Sequence, residues 1–79
     1  MTVEARAEIV ANVWRLETAG GAVVEAGQVL AVLETMKMEI PVVSPVTGTV
    51  TEVRVAEGQI VQEGDVIATL DPLSESAGD

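Results

Sequence analysis

Apolar and polar residues alternate along this chain, and the alternation occurs twice. In Val29-Leu30-Ala31-Val32-Leu33 and again in Val66-Ile67-Ala68-Thr69-Leu70, every second position reads Val, Ala, Leu. Two residues is the side-chain period of a strand, so Val29, Ala31, Leu33, Val66, Ala68 and Leu70 are predicted to share one buried face. The off-phase pairs, Val32 against Thr69 and Glu34 against Asp71, change chemistry or carry charge, as an outer face does. Val53 and Val55, interleaved with Glu52, Arg54 and Ala56, predict another half-buried strand. Apolar residues do not recur at helical spacing and valine is dense, so helix fits poorly.

These runs belong to a longer repeat. An offset of 37 residues, with no gap, pairs Val13 with Val50, Ala19 with Ala56, Gly21 with Gly58, Val24 with Val61 and Gly27 with Gly64. Ile9 with Val46 and Ala11 with Gly48 are near-matches. Gly27-Gln28 and Gly64-Asp65 each precede an apolar run, as a turn precedes a strand. Two similar halves, about 1–36 and 38–71, imply two sheets built by both halves around a pseudo-twofold axis. A flattened all-β sandwich or barrel is the simplest architecture. One domain over residues 1–71 is expected, frayed over 1–3, with a disordered tail over 72–79 that lacks apolar alternation.

Composition narrows the chemistry. Seventy-nine residues stand near the lower limit for folding on one apolar core, and 48% hydrophobic residues suffice to attempt it. Trp14 is the only aromatic. With no cysteine and no histidine, disulfides and the usual zinc ligand sets are excluded. The carboxylates match no calcium-loop spacing. With no His, no Cys and no hydroxyl in a familiar nucleophile–base arrangement, no catalytic residues are expected and the chain is not expected to be an enzyme. A formal charge of −9 argues against nucleic acid and anionic membrane surfaces as partners. Met1-Thr2-Val3-Glu4-Ala5-Arg6 lacks a basic stretch leading into an apolar core, and no apolar run spans a bilayer, so a cytoplasmic protein is expected. A monomer is expected for the isolated chain.

Against this background Lys37 stands out. It is the chain's only lysine, set in Glu34-Thr35-Met36-Lys37-Met38-Glu39 where the halves meet. The segment has no Gly, Pro, Asn or Asp, so local chemistry alone predicts no turn. The repeat predicts one: the chain must reverse between Leu33-Glu34 and Glu39-Ile40, which puts Met36-Lys37 at a hairpin tip. Met and Lys do not favour the positive φ such a tip demands, and local mismatches of this kind gather at functional sites. Two readings of the residues stay open. In one, Lys37 is a site for covalent modification; in the other it is a solvated charge beside methionines that pack inward.

Glu34-Thr35-Met36-Lys37-Met38-Glu39, with Pro41, Pro45 and a Gly48-Thr49-Val50 turn, resembles the biotinyl domain of biotin carboxyl carrier proteins over residues 7–71. Small free-standing biotinylated or lipoyl-attachment proteins are the nearest in look. The resemblance implies two four-stranded antiparallel sheets with quasi-twofold symmetry and the modified lysine on an exposed hairpin. It further implies biotin on Lys37, attached by a biotin protein ligase, with Met36 and Met38 matching flanking methionines that matter for ligase selection and later carboxylation, and Glu34 and Thr35 completing the site, Glu34 as an acid usual at its position. The biotin would then shuttle carboxylate from a biotin carboxylase to a carboxyltransferase, for an acceptor such as an acyl-CoA. Thr35 departs from the usual Ala or Ser. Glu8-Ile9-Val10-Ala11 replaces a Pro-Met-x-Gly turn, so a looser first-half turn is expected. The gapless repeat leaves no room for the protruding loop of some acetyl-CoA carboxylase carriers.

Two other functions remain in play. A lipoyl carrier would use the same scaffold and lysine, although such domains more often show Asp-Lys-Ala at the tip. An unmodified acidic binding module would leave Lys37 dispensable. A fragment of a multidomain carboxylase is a further possibility, against which a start at Met1 and a polar tail favour a complete short chain.

Overall fold

A computed structural model describes residues 2–73, and no helix occurs among them. The strands are β1 (Val3–Arg6), β2 (Ala11–Leu16), β3 (Val23–Val24), β4 (Val29–Thr35), β5 (Met38–Val43), β6 (Gly48–Val53), β7 (Ile60–Val61) and β8 (Val66–Pro72). They form two four-stranded antiparallel sheets. The first runs β1-β8-β6-β3 and the second β5-β4-β2-β7. Adding 37 to the bounds of β2, β3 and β4 gives those of β6, β7 and β8, so the repeat in the sequence is a twofold in the fold. That operation exchanges the sheets, and each sheet draws strands from both halves.

The core is aliphatic. Val13, Leu33, Val50 and Leu70 are fully enclosed, with Val24 and Val61, another twofold pair, closing the ends. No buried side-chain nitrogen or oxygen among the described residues lacks a hydrogen-bond partner. Simple alternation fails at Thr69, expected outside but buried, and at one symmetric pair. Leu30 and Ile67 lie between the predicted inward residues, yet both are buried at 1% exposure. The cause is a β-bulge. Val29 pairs with Val43 but Ala31 with Val42, which leaves Leu30 as the extra residue; Ile67 is likewise extra between Arg6↔Val66 and Ala5↔Ala68. A bulge resets the side-chain phase, so neighbouring residues can both face inward. Val29 and Val66, predicted on the buried face, are consequently only half-buried.

The turns follow the repeat as well. Gln28 N–H donates to Glu25 O at 2.9 Å and Asp65 N–H to Gln62 O at 3.0 Å. Each turn has a glycine in third place at φ near +90°, Gly27 at 89° and Gly64 at 92°, as a type II turn requires. The two crossings between sheets are also pinned alike. Ala7 N–H donates to Asp65 O and Gly64 N–H to Ala7 O, as Ser44 N–H donates to Gln28 O and Gly27 N–H to Ser44 O. The first-half turn is looser in one sense. The second half adds side-chain bonds from Ser44 Oγ to Val46 O and from Ala26 N–H to Thr47 Oγ1, and the related residues of the first half, Ala7 and Val10, carry no hydroxyl.

Three boundaries differ from the sequence expectation. Gly48-Thr49-Val50 is the start of β6 rather than a turn, because the reversal is completed over residues 44–47. Val55 lies beyond β6 but packs against the core as predicted. At the chain ends, Val3 is held in register opposite Leu70, Pro72 closes β8, and Leu73 N–H reaches Thr47 O at 2.9 Å. The remainder of the expected tail lies outside the described residues.

Candidate functional site

β4 and β5 are the longest ladder around the axis, paired from Val29↔Val43 to Thr35↔Met38. Thr35↔Met38 closes a two-residue loop of Met36 and Lys37, the tip that the repeat predicted. Their φ angles are 49° and 65°, and they are the only non-glycine residues at positive φ among those described. Positive φ at both central residues is the type I′ geometry, which matches the right-handed twist of the flanking strands and normally selects Asn-Gly. A side chain in this region costs about 1 kcal/mol or more, so the turn holds because the ladder behind it dictates its conformation.

Met36 is 88% exposed and Met38 54%, so the inward packing of the bland reading does not occur. Lys37 is exposed between them. Arg6, Arg15 and Arg54 each have a carboxylate within 4 Å on their own strand or just beyond it, but Lys37 has none among the described residues. Glu34 and Glu39 face each other directly across the ladder, one pair behind Thr35↔Met38, and both are exposed. Like charges in direct opposition are mildly unfavourable. They leave an acidic collar at the base of an apolar, cationic tip, with Thr35 half-buried at the closing pair.

Lys37 is exposed and lies outside the groove that the described residues form. That groove, about 810 Å³, lies between the edge strands β1 and β5 and is lined by residues such as Arg6, Leu33, Ile40 and Glu63, without Met36, Lys37 or Met38. No cluster of His, Cys, Asp or Glu with metal-holding geometry occurs among the described residues. No helix of the structure is long and apolar enough to cross a membrane. An uncoordinated amine held out on a fixed hairpin is what covalent attachment of a carboxylic-acid cofactor needs: access, no competing ion pair and no surrounding wall. Biotin and lipoate both attach through a carboxyl group, and both fit.

The arrangement defines a small twofold-repeated β domain built around a projecting lysine hairpin. A family model described as "Biotin-requiring enzyme" matches residues 1–70, and the chain belongs to that biotin/lipoyl family. A biotin/lipoyl attachment protein of Bacillus subtilis (strain 168) is 44% identical over 50 residues, covering 63% of this chain and 68% of the relative. A biotinylated protein, the TB7.3 homolog of Mycobacterium leprae (strain TN), is 46% identical over 56 residues, covering 71% and 79%. Among solved structures, a single-chain, multi-domain long-chain acyl-CoA carboxylase matches 95% of this chain with a TM-score of 0.86 and 29% identity. The urea carboxylase of Kluyveromyces lactis matches 90% with a TM-score of 0.85 and 28% identity. The chain spans 8% and 6% of those two proteins.

Proposed function

We propose that this chain is a biotin carboxyl carrier whose attachment residue is Lys37. The observation that carries the reading is the tip itself. The only lysine of the sequence stands exposed, without a carboxylate partner among the described residues, at the turn where the two halves join. In acylation by a biotin protein ligase, Lys37 Nζ loses a proton and attacks the activated carboxyl carbon of biotin. An amide forms and the activating group departs. Met36 and Met38 present apolar surface on either side of the amine, Glu34 offers charge to the ligase, and Thr35 anchors the closing pair. Biotin so attached supplies a group that accepts carboxylate in one active site and yields it in another. The chain's own part is mechanical. The paired strands hold the tip clear of the domain, and the tether raises local concentration at each site.

Biotin carboxylase and carboxyltransferase are the proposed partners, in the cytoplasm, with an acyl-CoA as the acceptor class. The acyl-CoA and urea carboxylases that share this fold support carboxyl transfer as the chemistry. Lipoate on the same lysine is the second reading, favoured by the Bacillus relative's joint biotin/lipoyl name. Intact mass after expression with both cofactors and both ligases decides between them. The expected result is one biotinyl increment on Lys37, absent in Lys37→Arg and Lys37→Ala proteins that keep the wild-type circular dichroism. A lipoyl increment moves the function to 2-oxoacid dehydrogenase-type chemistry, and no increment overturns both.

A further inference from the structure

The twofold makes each sheet a control for the other, because related positions occupy the same backbone setting. Inward, the sheets match. Val13 and Leu33 in the second correspond to Val50 and Leu70 in the first, all enclosed. Outward, they diverge. In the second sheet Arg15, Val32 and Pro41 form one cross-strand row, with Trp14 bulged beside Arg15. The related row of the first sheet is Glu52, Thr69 and Glu4, with Thr51 at the bulge. There the hydroxyls of Thr51 and Thr69 lie 2.5 Å apart and satisfy each other. Where one sheet carries exposed acids and a threonine pair of which Thr69 is buried, the other carries an exposed indole and pyrrolidine beside a half-buried isopropyl.

Trp14 sharpens the contrast. It is the chain's only aromatic, yet it is 40% exposed rather than in the core. The Arg15 guanidinium sits 4.5 Å from its ring centroid. Exposed apolar surface of this kind marks interaction sites, and Trp and Arg are the residues that dominate protein interfaces. The face also has a place and a charge. It lies on the sheet whose β4 and β5 carry the tip, with Val32 five residues from Lys37, about 16 Å along an extended strand. Glu34 and Glu39 occupy the row between. A partner gripping this face holds the hairpin at a set distance, and its end nearest the tip meets carboxylates.

We propose that the outer face of the second sheet, centred on Trp14, Val32 and Pro41, is the docking surface for the ligase that acylates Lys37. The matching surface is an apolar strip with Lys or Arg where it meets Glu34 and Glu39. This rests on Lys37 being the acylated residue. The scaffold supplies its own replacements, since Trp14→Thr, Val32→Thr and Pro41→Glu each copy the residue carried at the related position.

The test takes the purified unmodified protein with biotin, ATP and a biotin protein ligase as the probe, following initial rate against carrier concentration. Trp14→Thr is expected to raise KM about tenfold with kcat within about twofold, the loss of one interface anchor, and Glu52→Gln on the opposite face to change neither. Ligase binding to a Lys37→Arg protein, which cannot turn over, is expected to weaken about tenfold on adding Trp14→Thr. Pro41→Glu, at the exposed edge, decides the matter if melting curves show Trp14→Thr unfolded. Biotinylation of the wild type with unchanged KM and affinity in the folded variants overturns the docking face and leaves the carrier reading intact. A wild type that accepts no biotin overturns the carrier reading first and this inference with it.

Discussion

At the tip, two residues adopt a conformation that neither favours. Met36 and Lys37 sit at φ 49° and 65° where Asn-Gly is the usual choice. Local preference therefore argues against the turn, and only the repeat made it legible in the sequence. Relieving this strain stabilises the fold: Met36→Asn is expected to raise unfolding free energy by about 0.5–1 kcal/mol in urea titrations. Unchanged or lower stability would mean that the exposed methionine makes a contact worth more than its strain. The exposure of Met36 and Met38 was left open by the sequence, where inward packing stood beside an exposed tip. Period-two counting assigns them one side of a strand, and a turn between them removes the strand.

Within the elements, the bulges matter most. Leu30 and Ile67 are extra residues in β4 and β8, and Trp14 and Thr51 in β2 and β6, so all four bulges fall into twofold pairs. Bulges have no signature in an alternation pattern, which is why Leu30 and Ile67 read as outward and are in fact enclosed. The twofold breaks at Gly48, whose counterpart is Ala11. A Cβ on Gly48 would overlap the Asp71 carbonyl oxygen and come within 2.8 Å of Pro72 Cα. Backbone cannot yield as a side-chain end can, so Gly48→Ala is expected to cost about 1–3 kcal/mol, read as a lowered urea midpoint with unchanged slope. A neutral result would show that β6 and β8 can separate there.

Across the whole molecule, the shape follows from the symmetry. The extents are 46 × 19 × 18 Å. The twofold carries the Met36-Lys37 tip onto the opposite end, where β1 begins and β8 finishes. The two ladders behind those ends share one core, so equivalent truncations are expected to act equally. Leu33→Ala and Leu70→Ala, both fully buried, should each lose about 2–5 kcal/mol and agree with one another within about 1 kcal/mol. A large inequality in chemical denaturation would mean that the halves do not unfold as one unit. The surface ion pairs, all on exposed side chains, are not expected to matter at that scale.

The sequence by itself determined the strand class, the 37-residue repeat, the two-sheet arrangement and the position of Lys37 at a reversal. Each depends on periodicity or on symmetry between segments, and both are properties of order along the chain. Tertiary structure decided which sheet each strand joined, where the phase slipped at bulges, that the methionines face solvent, and that one outer face bears Trp14 while its counterpart bears threonines. Those depend on register between strands far apart in sequence. One residue of slip exchanges inside for outside, and only the closed ladder settles it.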